Sequence, residues 1–162
     1  MISTSEYNEA VKQLSRNLFR YLFKCLKSEE ACLDIIQDCF EKLWKNRANV
    51  QSEKVKSWLF STAHNLMINY IKREGKATEF NQEIHNINHS SSDNYDMKEL
   101  INKALIQLPE LQKSILLLRD YEGYQYHEIG EILELNESQV KVYLFRARKK
   151  LKETLKNMHS VL

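Results

Sequence analysis

Two sets of residues have types and spacing that could do chemistry. His85 and His89 stand four apart with Glu83 beside them, the spacing of metal ligands on one helical face, where a bound zinc ion could activate water. Cys25, Cys32 and Cys39 recur every seventh residue, which could suggest a metal or redox cluster. Both readings lose to plainer ones. The histidines lie in a stretch too polar to form a stable helix, with no HExxH, no cysteine pair and nothing upstream to shield a pocket. They read as solvated histidines. The cysteines are odd in number, lack a CxxC and occupy apolar helical positions, so they read as buried thiols. No catalytic residue, metal or cofactor is expected.

A third constellation survives this test. Lys141 to Lys156 holds seven bases, Lys141, Arg146, Arg148, Lys149, Lys150, Lys152 and Lys156, against Glu153 alone. On a helix, Val140, Leu144, Ala147, Leu151 and Leu155 form an inner stripe. Ser138, Gln139, Lys141, Val142, Phe145, Arg146, Lys149 and Lys152 then fall on or beside the outer face. That face mixes groups suited to base edges with groups suited to phosphates, Gln139 to adenine and Arg146 to guanine or phosphate. The net charge of the whole chain is only +2, so the argument rests on this local segregation and not on a global basic field.

Such a helix must be held by others. Three glycines and one proline in 162 residues are too few for the turns of a β-sandwich or barrel, so the chain should be all-α. The basic helix starts after a tight turn at Leu135-Asn136. Asn136 can accept from the N–H of Gln139 while the Gln139 side chain reaches back, a variant of the capping box. A short helix from Tyr126 to about Glu134 precedes it, with Gly130 placed for a close helix approach. The two form a helix-turn-helix. Upstream, Pro109 opens a helix that runs to about Tyr121, Gly123 suits a left-handed terminus, and Met97 to Leu108 forms another amphipathic helix. Residues 97–162 are thus one small helical domain.

Residues 1–76 form another. Ala10, Val11, Leu14, Leu18, Leu22 and Cys25 share one stripe from about Tyr7 to Lys27. Ser28 caps a second helix that turns Cys32, Leu33, Ile36, Cys39, Phe40 and Leu43 inward. A loop from Asn46 to Ser52 leads to a third helix with Val55, Trp58, Leu59, Thr62, Ala63 and Leu66 on one face, stopping at Gly75. Between the domains, residues 77–96 contain Glu79, Glu83, Asp93 and Asp96 but no lysine or arginine and show no period, as expected of a flexible acidic linker. No run of eighteen apolar residues occurs and the start is polar, so neither a membrane span nor a signal peptide is expected and the chain should be cytoplasmic.

These residues carry a resemblance. Leu108-Pro109-Glu110, Tyr121-Glu122-Gly123, the run Tyr126 to Glu131 and the run Phe145 to Leu151 resemble region 4 of the sigma-70 family, in its extracytoplasmic-function group. The run Asp34 to Trp44 resembles region 2.2 of that family, and Trp58 to Asn65 followed by Tyr70-Ile71-Lys72-Arg73 resembles regions 2.3 to 2.4. The resemblance implies a bacterial transcription initiation factor and not an enzyme. Its first domain would bind the clamp helices of core RNA polymerase through Asp34, Gln37, Phe40 and Trp44 and melt the minus-ten element of promoter DNA. Its second domain would read the minus-thirty-five element. An anti-sigma factor that sequesters the chain is implied as a further partner.

Melting requires capture of unstacked bases by aromatics and amides, for which Trp58, Phe60, Asn65, Asn69 and Tyr70 with the loop Asn46 to Ser52 could supply the surface, and Arg73 joins them as a DNA-binding candidate. Trp58 points inward and Phe60 is the aromatic expected to be exposed. His64 stands where the family usually has arginine, Asn69 where it has aspartate and Glu134 where the turn has glycine. In the basic helix Gln139, Val142 and Tyr143 replace the commonest Thr, Ser and Arg. A repressor that binds an operator as a dimer would share the helix-turn-helix, but the Asp34 to Trp44 motif speaks against it.

Overall fold

The computed structural model describes residues 1–78 and 97–160. Of the acidic stretch expected as a linker, Ala77 and Thr78 are helical and belong to α3, and residues 79–96, with His85 and His89, lie outside the described residues. Among these residues every regular element is helical.

Helix α1, Thr4–Leu26, begins three residues earlier than its apolar stripe suggests. The cause is a capping box: the Glu6 N–H donates to Ser3 Oγ at 3.1 Å and the Ser3 N–H to Glu6 Oε2 at 2.8 Å, which satisfies two end donors. Lys27 ends α1 in the left-handed region at φ 58°. Ser28 then caps α2, Glu29–Asn46, accepting from the Ala31 N–H at 3.2 Å. A 3-10 turn, Ser52–Lys54, leads into α3, Val55–Thr78. Leu14, Leu18 and Leu22 of α1, Cys32, Cys39 and Leu43 of α2, and Leu59 and Ala63 of α3 make the first core. Gly75 does not stop α3, and the glycine with positive φ is Gly123 at 74°. Leu33 also departs from expectation, being 52% exposed because it sits a full step around α2 from Cys32.

The second domain comprises α4, Met97–Ile106, and α5, Glu110–Leu116, which continues as a π-type turn Leu117–Tyr121. Then come α6, Tyr126–Leu133, and α7, Glu137–Ser160. Pro109 is the N-cap of α5 and not its first helical residue, so its missing N–H costs nothing. Leu105, Ile115, Leu118, Ile129, Ile132, Val140, Leu144 and Ala147 form its core.

The two cores are continuous, which the sequence did not suggest. Helix α3 packs on α6, and α1 touches α4. Along this seam the Phe60 and Tyr124 rings meet edge to face at 5.1 Å, and Lys56 lies 4.7 Å over Tyr124. At its rim Arg20 makes a two-armed ion pair with Glu122, 2.9 Å on each arm, and Lys54 pairs with Glu131 at 2.9 Å.

Candidate nucleic-acid interface

The turn before α7 is built by local chemistry. Glu134 takes the left-handed conformation at φ 58°, the place where the family usually has glycine, so the layout survives this residue. The Gln139 N–H donates to Asn136 Oδ1 at 2.8 Å and the Asn136 N–H to Gln139 Oε1 at 3.0 Å, the capping pair read from the sequence. Gly130 is required for contact: a Cβ there would stand 2.5 Å from the carbonyl oxygen of Leu135 and 3.9 Å from Val140.

Helix α7 buries Val140, Leu144 and Ala147 fully and half-buries Leu151 and Leu155. Outside that stripe α7 exposes Ser138, Gln139, Lys141, Val142, Phe145, Arg146, Lys149 and Lys152. At about 100° per residue, Val142 and Lys149 lie nearly opposite the buried stripe, with Gln139 and Arg146 on one flank and Ser138 and Phe145 on the other. Lys141 leans toward α6, its Nζ 5.5 Å over the Tyr126 ring. Arg148, one of the seven bases, is tied to Asp120 by two hydrogen bonds and so faces the protein. The Gln139 pairing has a consequence: the cap holds Oε1 and so fixes the direction in which the amide can face a base.

On α3 the candidates divide. Asn65, Asn69 and Arg73 are exposed at four-residue intervals and Tyr70 beside them is half-buried. Phe60, expected to be the exposed aromatic, is 0% exposed, and Trp58, expected inside, is half-buried. The reason is that α3 carries two inward stripes. Leu59 and Ala63 face the first domain, while Phe60, His64 and Met67, at helical spacing, lie on an adjacent stripe where Phe60 and His64 meet the second domain. His64 is the polar centre of that contact. Tyr21 Oη lies 3.0 Å and Ser114 Oγ 3.3 Å from its Nδ1, so two hydroxyls from the two domains meet at one ring nitrogen. Burial holds its pKa down at about 4, so the ring is neutral.

On α2, Asp34 and Gln37 are exposed and Trp44 is 38% exposed, whereas Phe40 is buried. Tyr7 braces this face from α1: its hydroxyl donates to the Phe40 carbonyl at 2.9 Å and its ring meets Trp44 at 5.0 Å. The Arg47 guanidinium lies 3.9 Å over Trp44. Leu33, Gln37 and Trp44 share one face through the spacing i, i+4, i+11. Leu33 therefore belongs with them, and that spacing was the signal for it.

The three cysteines are separate thiols, each with its pKa raised by burial, Cys25 and Cys39 to about 12 and Cys32 to about 11. Among the described residues no group of His, Cys, Asp or Glu could hold a metal ion, and no helix is long and apolar enough to cross a membrane.

The pattern of the Sigma-70 region 2 family matches residues 10–77, and that of Sigma-70, region 4 matches residues 98–151. The chain is 25% identical over 150 residues to the ECF RNA polymerase sigma factor SigM of Bacillus subtilis, covering 90% of this chain and 92% of that protein. It is 29% identical over 153 residues to the RNA polymerase sigma factor YlaC of the same organism, covering 89% and 88%. In fold it is similar to the sigma factor RpoE of Bartonella quintana, solved in complex with the anti-sigma factor NepR, with a TM-score of 0.72 at 19% identity over 94% of this chain and 98% of that one. The chain belongs to the sigma-70 family, in its extracytoplasmic-function group. It is a transcription initiation factor that directs RNA polymerase to promoters, and its family is not one of enzymes.

Proposed function

We propose that the chain divides this work between residues 1–76, which bind polymerase and melt the minus-ten element, and residues 97–162, which bind the minus-thirty-five element. In the first domain Asp34, Gln37 and Trp44, joined by Leu33, form the surface that docks on the polymerase, with Phe40 supporting it from beneath. Asn65, Asn69, Tyr70 and Arg73 take the minus-ten strand. In the second domain Ser138, Gln139, Lys141, Val142, Phe145, Arg146 and Lys149 enter the major groove. The chain works in the cytoplasm, where its polymerase and promoter are. Because RpoE, similar in fold, was solved with an anti-sigma factor, a sequestering protein of that kind is the third partner of this chain.

The observation that supports this reading most is the outer face of α7, which presents exposed cations and an amide directly opposite a buried apolar stripe. Phe60, packed between Tyr21 and Tyr124, does not join this surface in the packed arrangement.

Mixing the purified chain with core RNA polymerase and mapping protection on promoter DNA tests the division. Two protected stretches, the upstream one lost when residues 97–162 are removed, are expected. Failure to bind core polymerase, or protection of two equivalent half-sites by the chain alone, overturns it.

A further inference from the structure

Helix α7 leaves two apolar side chains in water at the middle of a polar face: Val142 is 47% and Phe145 68% exposed. Neither packs on the domain core, and both stand among the exposed charged side chains Lys141, Arg146 and Lys149. Val142 is also part of a shallow depression on the helix surface, lined with Asn136, Ser138, Gln139, Tyr143 and Arg146. An apolar residue with a polar rim fits a small apolar group carried on a polar surface.

The major groove offers one such group. Each base pair presents donors and acceptors there, and the only apolar substituent among them is the 5-methyl group of thymine. Resting on the reading that α7 enters the major groove, we infer that Val142 and Phe145 recognise thymine methyl groups in the upstream promoter element, Val142 at the centre of the contact and Phe145 along its flank. The capping pair holds the Gln139 amide at the start of the helix, beside the depression that Val142 lines. The exposed cations around the pair add charge attraction to the DNA, while the methyl contacts add sequence preference.

The test uses the full chain assembled with core RNA polymerase. Promoter duplexes with a randomised upstream element are selected for binding, and each enriched thymine is replaced in turn by deoxyuridine, which removes the methyl group and keeps the hydrogen-bonding edge. Loss of about fourfold in affinity is expected at one position or more, the ratio for one buried methyl group. The variant Val142→Ala should bind thymine and deoxyuridine equally at the position it reads. Unchanged affinity at every replaced thymine, with upstream protection intact, overturns the inference and leaves the reading of α7 standing. Absence of upstream protection overturns that reading and the inference with it.

Discussion

Replacing Gly130 by alanine tests the helix-turn-helix where its geometry is tightest. The added Cβ would lie 2.5 Å from the Leu135 carbonyl oxygen, closer than any relaxed carbon–oxygen contact, and that atom is backbone and cannot swing away. The turn must move outward. Doing so strains the bond in which the Leu135 N–H donates to the Gly130 carbonyl at 2.9 Å, worth about 1 kcal/mol, and overpacking of this kind costs about 1 to 3 kcal/mol. Against this, alanine gains about 1 kcal/mol of helix propensity over glycine at an interior position. The net expectation is a loss of about 1 to 3 kcal/mol, with a shifted start for α7. Urea unfolding of the variant should show a lower midpoint at unchanged slope, and upstream promoter binding should fall while polymerase binding holds. A variant as stable as the parent, or more so, would show that α6 and the Leu135 turn are not in the contact described.

Four other perturbations follow from the same structure. His64 is neutral in the fold with its pKa at about 4, against about 6.5 in an unfolded chain, so between these values the unfolded chain binds a proton that the fold does not. Its contribution, about 3 kcal/mol at most, is present above pH 6.5 and lost as the pH falls toward 4; a His64→Gln variant whose stability falls as steeply over that window refutes it. Arg20→Ala leaves Glu122, whose side chain is 3% exposed, without its partner; with Arg20 itself 45% exposed the loss is about 1 to 2 kcal/mol, read as faster hydrogen exchange where α3 meets α6, and unchanged exchange counts against the seam. Arg146→Ala should cost about 1 to 3 kcal/mol in upstream binding if it reads a base and reduce the salt dependence if it meets phosphate; a reporter promoter with unchanged output removes Arg146 from the interface. Asp34→Ala combined with Gln37→Ala should weaken binding to core polymerase with helicity unchanged, because both side chains are exposed and outside the core; retained affinity removes them from the docking face.

What could be read from the sequence was whatever one helix determines by itself. The stripe of α7, the Asn136–Gln139 pair and the close approach at Gly130 each depend on residues close together in the chain, and all are present. What could not be read depends on partners far along the chain. Phe60 and His64 lie on a second stripe of α3 that looks exposed until Tyr124 and Ser114 are brought against it. Arg148 counts as a free base until Asp120 is seen to hold it. Leu33 was assigned inward because leucine is apolar, although its helical angle sets it beside Gln37. The minus-ten candidates therefore needed the structure more than the upstream ones did.

The cysteines of α1 and α2 give the chain a built-in gauge. All three belong to the first domain, and Cys32 and Cys39 are shut away from solvent with thiols that resist ionisation. An alkylating reagent meets the latter two only when that bundle breathes, while it finds no sulfhydryl anywhere in residues 97–162. Their labelling rate thus clocks the loosening of one half of the molecule alone, in the intact protein and without any introduced dye.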